Sequence, residues 1–306
     1  MAGHDHDHTH AGGHDHGAGR LSAAVVVNLA LSLAQIVGGI LAGSLALIAD
    51  AVHNLSDAVS LVVALMARRV ARRSADAGMT FGYARAETVA ALINYTTLIL
   101  IAVWPGFEGV MRLFAPNPVD GWIVVILAAL ALVVNTLTAL LTHRMSKTSM
   151  NIRATFLHNL TDALASVGVI VAGTLVILFG WVIVDPLITI GISGYILWHA
   201  LREIGPVVRI LMLGAPKGIS TDAVLASISA EAGVKDVHNL HLWQMEEHRT
   251  ALQAHVALSE GHWTEADAIK ARLRKRLATL GIGHVTLEME CSRHACRGAS
   301  VIGHPA

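Results

Sequence analysis

Charge is scarce in this chain. Asp, Glu, Lys and Arg make up 14% of its 306 residues, where a soluble domain carries roughly 25%. Hydrophobic residues reach 54% and the mean hydropathy is +0.58, so the balance is that of a membrane protein. There is no excess of either sign: the formal net charge is zero, which gives no reason to expect a nucleic-acid partner. Cysteine is nearly absent. Cys291 and Cys296 are the two present, too few for a disulfide framework, and their proximity reads as a reduced, metal-binding pair. No basic region followed by an apolar core and a cleavage site opens the sequence, so no secretory signal is expected.

Histidine is abundant instead. There are eighteen, and six fall within the first sixteen residues, MAGHDHDHTHAGGHDH. Residues 1–20 are polar, cannot bury a core and are expected to form a disordered His-rich tail. That tail can collect zinc weakly.

Beyond Arg20 the character changes. Six apolar stretches each approach the ~20 residues that cross a bilayer as a helix: Leu21–Leu41, Leu45–Ala67, Thr88–Phe114, Trp122–Thr142, Ile152–Phe179 and Ile183–Leu201. Pro105 lies inside the third, where membrane helices tolerate it with a kink. Basic residues cluster after the second (Arg68, Arg69, Arg72, Arg73), between the fourth and fifth (Arg144, Lys147, Arg153) and after the sixth (Arg202, Arg209). All three clusters fall on one side, so both termini are expected to be cytoplasmic. From about Val207 the chain reads as water-soluble. Helical periodicity over Thr221–Ala232 and Thr264–Leu280, with alternation over Val234–Gln244, Thr250–Leu258 and His284–Glu290, predicts the order αββαβ, a small two-layer domain. The expected organisation is therefore a tail (1–20), a six-helix transmembrane domain (21–206), a cytoplasmic α+β domain (207–292) and a C-terminal tail (293–306).

One internal repeat carries the chemistry. His53-Asn54-Leu55-Ser56-Asp57-Ala58 in the second span recurs as His158-Asn159-Leu160-Thr161-Asp162-Ala163 in the fifth. Positions i and i+4 share a helix face, so each span presents a His–Asp pair inside apolar sequence. An ionised carboxylate at bilayer depth costs about 2.5 kcal/mol or more. Two imidazoles and two carboxylates facing each other would form a tetrahedral set suited to Zn2+, and its two negative charges would be cancelled by the ion. Helix-to-helix hydrogen bonding is the plainer use of such residues, and Asn54 and Asn159 suit it better. A di-iron membrane enzyme would need more histidines than this repeat supplies. A membrane-anchored zinc sensor or scaffold without transport is the remaining alternative, and it gives no role to a costly mid-membrane site.

The stretch Ser44–Asp57 resembles the second helix of the cation diffusion facilitator family. Phe81-Gly82-Tyr83-Ala84-Arg85-Ala86-Glu87 is similar to its signature entering the third helix, and His238-Asn239-Leu240-His241-Leu242-Trp243 to the first strand of its cytoplasmic domain. The resemblance runs from about Leu21 to Glu290. It implies a homodimeric, proton-coupled antiporter that exports divalent cations across the bacterial inner membrane, not an enzyme, with a ferredoxin-like cytoplasmic domain. The two His–Asp pairs resemble the zinc-transporting branch, with Cd2+, Co2+ or Ni2+ as further substrates. It also implies that His238, His255 and Glu290 bind zinc as a regulatory ligand, with Cys291 and Cys296 matching a zinc-branch feature. Where some members place a second site between spans two and three, this chain has Tyr83 in place of a histidine and Asp76 without its partner, so no site is expected there.

Overall fold

The computed structural model describes residues 15–146, 150–246, 249–296 and 298–303; of 15–25, 141–146 and 150–158 it describes the backbone alone. The histidines of the tail before residue 15 lie outside the described residues. Six long helices come first: α1 (Asp15–Ala42), α2 (Leu45–Ala71), α3 (Arg85–Phe114), α4 (Gly121–Ser146), α5 (Met150–Phe179) and α6 (Val184–Leu211). Among the described residues, α2 to α6 each hold a stretch long and apolar enough to cross a membrane, and Val26–Ala42 of α1 is a shorter apolar stretch. Helix α1 begins at Asp15, inside the segment assigned to the tail. Helices α2, α4 and α6 run four to ten residues past their apolar stretches, because Arg and other good helix formers continue the backbone pattern where the hydrophobic pattern stops.

The chain divides into two bodies. The first contains α1, α4, α5 and the greater part of α2, α3 and α6. Within it Ala42, Ala46 and Leu47 pack with Val124 and Ala128 of α4 and Val169 of α5. Leu98 and Ala102 of α3 form a separate cluster with Ile196 and Ala200 of α6. Small residues let these helices approach: a Cβ on Gly173 of α5 would come within 2.8 Å of Val125 on α4, the close contact that membrane helices favour. The turn between α1 and α2 requires Gly43, whose φ is +70° and whose added Cβ would meet the Pro118 carbonyl at 2.6 Å.

The start of α2 is capped twice. Leu47 N donates to Ser44 Oγ at 3.1 Å, the ordinary use of serine before a helix. Ser44 Oγ then donates to Asp185 Oδ1 at 2.5 Å, and Leu45 N donates to Asp185 Oδ2 at 2.9 Å. Asp185 belongs to the first turn of α6. Its carboxylate therefore serves the N-terminus of another helix, where the macrodipole favours a negative charge.

The second body contains residues 203–303 together with the last turns of α2 and the first turns of α3. Helix α7 (Thr221–Ser229), strand β1 (Val234–Glu246), strand β2 (Arg249–Leu258), a 3-10 turn at Trp263–Glu265, helix α8 (Ala266–Thr279) and strand β3 (His284–Cys291) follow in order. This is the αββαβ order the sequence predicts. The sheet order is β1-β2-β3, antiparallel between β1 and β2 and parallel between β2 and β3. One sheet face is covered. Val224 and Ile228 of α7 and Ile269, Leu273 and Leu277 of α8 pack on Val237, Leu242, Leu252, Val256 and Leu287. Strand alternation then sends His238, His255, Glu288 and Glu290 to the opposite face. Arg85 Nε donates to the Met245 carbonyl at 3.0 Å, tying the start of α3 to the end of β1.

Leu273 is fully buried at the centre of α8. Leu273→Ala should cost about 2–5 kcal/mol of the domain's stability. Hydrogen exchange of β2 amides in the full-length protein should accelerate accordingly, and exchange at parent rates would show that the core does not depend on this contact.

Candidate metal centres

Two groups of metal-ligating side chains stand out, one in each body. The first is the repeated pair. His53 Nε2 lies 3.5 Å from Asp57 Oδ2, one helical turn away on α2, and 3.8 Å from Asp162 Oδ1 on α5. The two helices thus bring their acids to one imidazole. Asp162 is buried, and His53 and Asp57 are partly so. His158 sits one turn before Asp162 in α5, but its side chain lies outside the described residues. Three of the four expected ligands therefore converge on one place, and the fourth occupies the matching backbone position.

Asp50, three residues before His53, does not join them. It is buried and accepts a hydrogen bond from Gln35 Nε2 of α1 at 3.1 Å. This is the helix-to-helix use of a polar side chain. Ser60 of α2 pairs likewise with Asn94 of α3.

The second group lies on the open face of the C-terminal sheet. One ligand atom from each of His238 (β1), His255 (β2), Glu290 (β3) and Cys296 lies within 4.8 Å of every other. His255 Nδ1 is 2.6 Å from Glu290 Oε1, and His238 Nε2 is 3.2 Å from Glu290 Oε2. His238 is buried, and its Nε2 makes no aligned hydrogen bond. Two imidazole nitrogens, a carboxylate oxygen and a thiol sulfur within 4.8 Å of one another make a donor set that a tetrahedral divalent ion completes, so the residues fit zinc. Outer carboxylates hold the far side of each ring: Asp236 Oδ2 is 3.0 Å from His238 Nδ1, and Glu288 Oε2 is 3.3 Å from His255 Nε2. Such partners fix the tautomer that a metal-binding imidazole needs.

Electrostatics in this group follow from Glu290. Burial pushes its carboxyl up, but hydrogen bonds from His255 and from the Cys296 backbone and thiol, with the His238 charge, outweigh burial and hold it below the usual carboxylate range. The same thiol–carboxylate bond, at 3.4 Å, is the first cause that raises the Cys296 thiol above its ordinary value; burial and the charges of Glu290 and Glu288 add to it. A metal entering here must displace the thiol proton.

Cys291 stays out of the cluster. Its Sγ is 3.2 Å from His294 Nδ1. Leu287 and Met289 point to the helices, so alternation puts Cys291 on that face and Glu290 on the other. The sequence reading joined both cysteines by proximity; the period of two separates them. It also overlooked Asp236, whose only signal was its position two residues before a strand histidine.

In the link between α2 and α3, Asp76 is engaged by its near neighbours. Asp76 Oδ1 accepts from Gly78 N and Met79 N, and Tyr83 Oη donates to Asp76 Oδ2 at 2.7 Å. The tyrosine and the two amides thus engage both oxygens of the carboxylate.

Comparison with known proteins gives two family matches along the chain. Residues 21–212 match the cation efflux transmembrane domain, and residues 216–291 match the cation efflux protein cytoplasmic domain. The zinc transporter ZitB of Pectobacterium atrosepticum is 36% identical over 294 residues, covering 95% of this chain and 89% of the relative. A cadmium, cobalt and zinc/H(+)-K(+) antiporter of Bacillus subtilis is 34% identical, covering 92% and 93%. The metal cation efflux system protein CzcD of Cupriavidus metallidurans is 33% identical, covering 99% and 94%.

The Asp76 carboxyl is held below its usual range, first by the Tyr83 hydroxyl and then by the Met79 and Gly78 amides. A depressed carboxylate contributes its hydrogen bonds above the ordinary carboxyl range, and they are lost as pH falls through the lowered value. Protection of the Gly78 and Met79 amides, relative to intrinsic exchange, should therefore persist at pH 5 and fall below about pH 4. Asp76→Asn should remove that pH dependence, and a dependence that survives the substitution would assign it to another group.

Proposed function

The chain belongs to the cation efflux family and is a multi-pass membrane transporter of metal ions, not an enzyme, and we propose that it exports Zn2+ from the bacterial cytoplasm in exchange for protons. The observation that carries this reading is the meeting of His53 with Asp162 from a second helix, 3.8 Å apart inside apolar sequence. With Asp57 and His158 they form the proposed transport site. The names of the relatives, a zinc transporter and a cadmium, cobalt and zinc antiporter, support zinc as substrate and extend the range to Cd2+ and Co2+; Ni2+ fits the same donors.

The chemistry of exchange follows from the donors. A metal needs neutral imidazole and ionised carboxylate, so protons and zinc compete for the same four groups. Imidazole, with an ordinary pKa of about 6.5, is the group that changes charge nearest neutral pH. A site that faces a neutral cytoplasm takes metal and a site that faces a more acidic exterior releases it. Alternating access of the one site then couples the two fluxes. The basic clusters after α2 and α6 support the inner-membrane placement with both termini cytoplasmic. The match to the family's cytoplasmic domain supports a homodimer. The cluster of His238, His255, Glu290 and Cys296 is proposed to bind zinc as a regulatory ligand.

Zinc uptake into proteoliposomes under an imposed pH gradient tests the transport reading. Asp57→Ala and Asp162→Ala should each reduce gradient-driven uptake to that of empty liposomes. Zinc that binds the parent but never moves would favour the sensor or scaffold. His53→Asp should keep transport and move its pH midpoint down by about one unit or more, since an aspartate holds its proton less tightly than imidazole. An unmoved midpoint would remove His53 from proton exchange.

A further inference from the structure

The residues after β3 return to the sheet. His294 N donates to the Cys291 carbonyl at 3.0 Å and turns the chain. Cys296 N then donates to Glu290 Oε2 at 3.2 Å, and its thiol donates to Glu290 Oε1 at 3.4 Å. Further on, Ser300 to Gly303 lies along β1. Asn239 N donates to the Ser300 carbonyl at 2.9 Å, Leu240 N to the Val301 carbonyl at 3.1 Å, and Gly303 N to the Leu240 carbonyl at 3.1 Å. Leu240 and Ile302 form a parallel bridge. Because β2 occupies one side of β1, this strap covers the other, an edge that would otherwise offer unpaired backbone groups.

The edge is shaped for the strap. The register between β1 and β2 slips between His238 and His241, and Asn239 adopts a φ of +49°, a conformation rare outside glycine. This bulge turns the Asn239 and Leu240 amides away from β2 and toward the strap. It directly follows His238, a member of the metal cluster.

Little else holds the strap down. Among its described residues, from Ser292 to Gly303, none is buried. Val301 and Ile302 are about half exposed. A few hydrogen bonds in water, with only partial apolar burial behind them, do not offset the ordering of a dozen residues. Among the described residues the strap is also attached at Cys296, whose sulfur lies within 4.8 Å of ligand atoms of His238, His255 and Glu290.

We propose that His238, His255, Glu290 and Cys296 form a metal-operated clasp, in which a bound divalent zinc-type ion fastens the C-terminal strap to the free edge of β1. This rests on the reading of the cluster as a metal site. The sheet supplies three ligands on rigid strands, and the strap supplies the thiolate. Binding exchanges the thiol proton for the metal and converts a weak hydrogen bond into a metal–sulfur bond. Loss of metal releases the strap and uncovers Asn239 and Leu240. Metal supply is thereby written onto the backbone edge that this domain presents.

Hydrogen exchange of the full-length protein in lipid nanodiscs, with zinc against a zinc chelator, tests the clasp. Zinc should slow exchange in peptides covering 237–242 and 298–303 by at least about tenfold. Peptides from α8 report whether each variant remains folded. Cys296→Ser should abolish the slowing in both peptides while zinc still binds His238, His255 and Glu290 more weakly. Equal slowing in Cys296→Ser would overturn the clasp, as would a strap equally protected with and without zinc. Zinc stoichiometry separates the underlying reading: if His238→Ala with His255→Ala binds as many zinc ions as the parent, the cluster is not a metal site and the clasp fails with it.

Discussion

The structure depends on the cost of placing ionised carboxylates in a low-dielectric interior. Asp50, Asp57, Asp162 and Asp185 all lie in helices that cross or enter the apolar body, and each must be answered. The structure answers them in different ways. Asp185 receives a hydroxyl and a backbone amide at the start of α2. Asp50 receives one amide from Gln35. Asp57 and Asp162 meet the His53 imidazole, at 3.5 and 3.8 Å. Imidazole and carboxylate are donors that a divalent cation and protons can occupy in turn. This group therefore differs from the other two in the exchange chemistry its donors allow.

Much of this was legible in the sequence, because the signals were local. The repeat of His-x-x-x-Asp pointed to one face of each of two helices, and His53, Asp57 and Asp162 of those faces lie together. The αββαβ order followed from periodicity alone. Asp185 was legible only as a helix-terminal residue. Nothing within five residues of it shows that its carboxylate serves Ser44 and Leu45, 140 positions away. Gln35 and Asp50 were legible as interior polar contacts but not as partners. The bulge at Asn239 was invisible, since asparagine inside an alternating strand has no fixed reading. The strap over β1 was likewise hidden: Ser300–Gly303 has no periodicity to show, and its place is set by backbone bonds and by Cys296.

The two cysteines illustrate how short-range proximity misleads. Four residues separate them, which suggests a shared metal. Cys291, however, is the last residue of a strand, and alternation sends it to the helix-covered side with Leu287 and Met289. Cys296 lies past a turn and is free to come back over the open face. One thiol is placed by the pleat and the other by the loop, so their spacing in sequence says little about their spacing in the molecule.

The contrast between the two proposed metal centres is itself an argument about their uses. The proposed transport site has imidazole and carboxylate ligands and no sulfur. Such donors bind zinc, yet protons compete for them near neutral pH, so a modest acidification can empty the site. The C-terminal cluster adds a thiolate, a softer ligand that favours zinc and its heavier relatives more strongly. A pathway needs metal to leave on every cycle, and a thiolate would resist that. A regulatory centre needs only to report the concentration it meets. It can therefore use the stronger ligand. Cys296 lies outside the membrane helices, where such a ligand is separated in sequence from the His53–Asp57 and His158–Asp162 pairs.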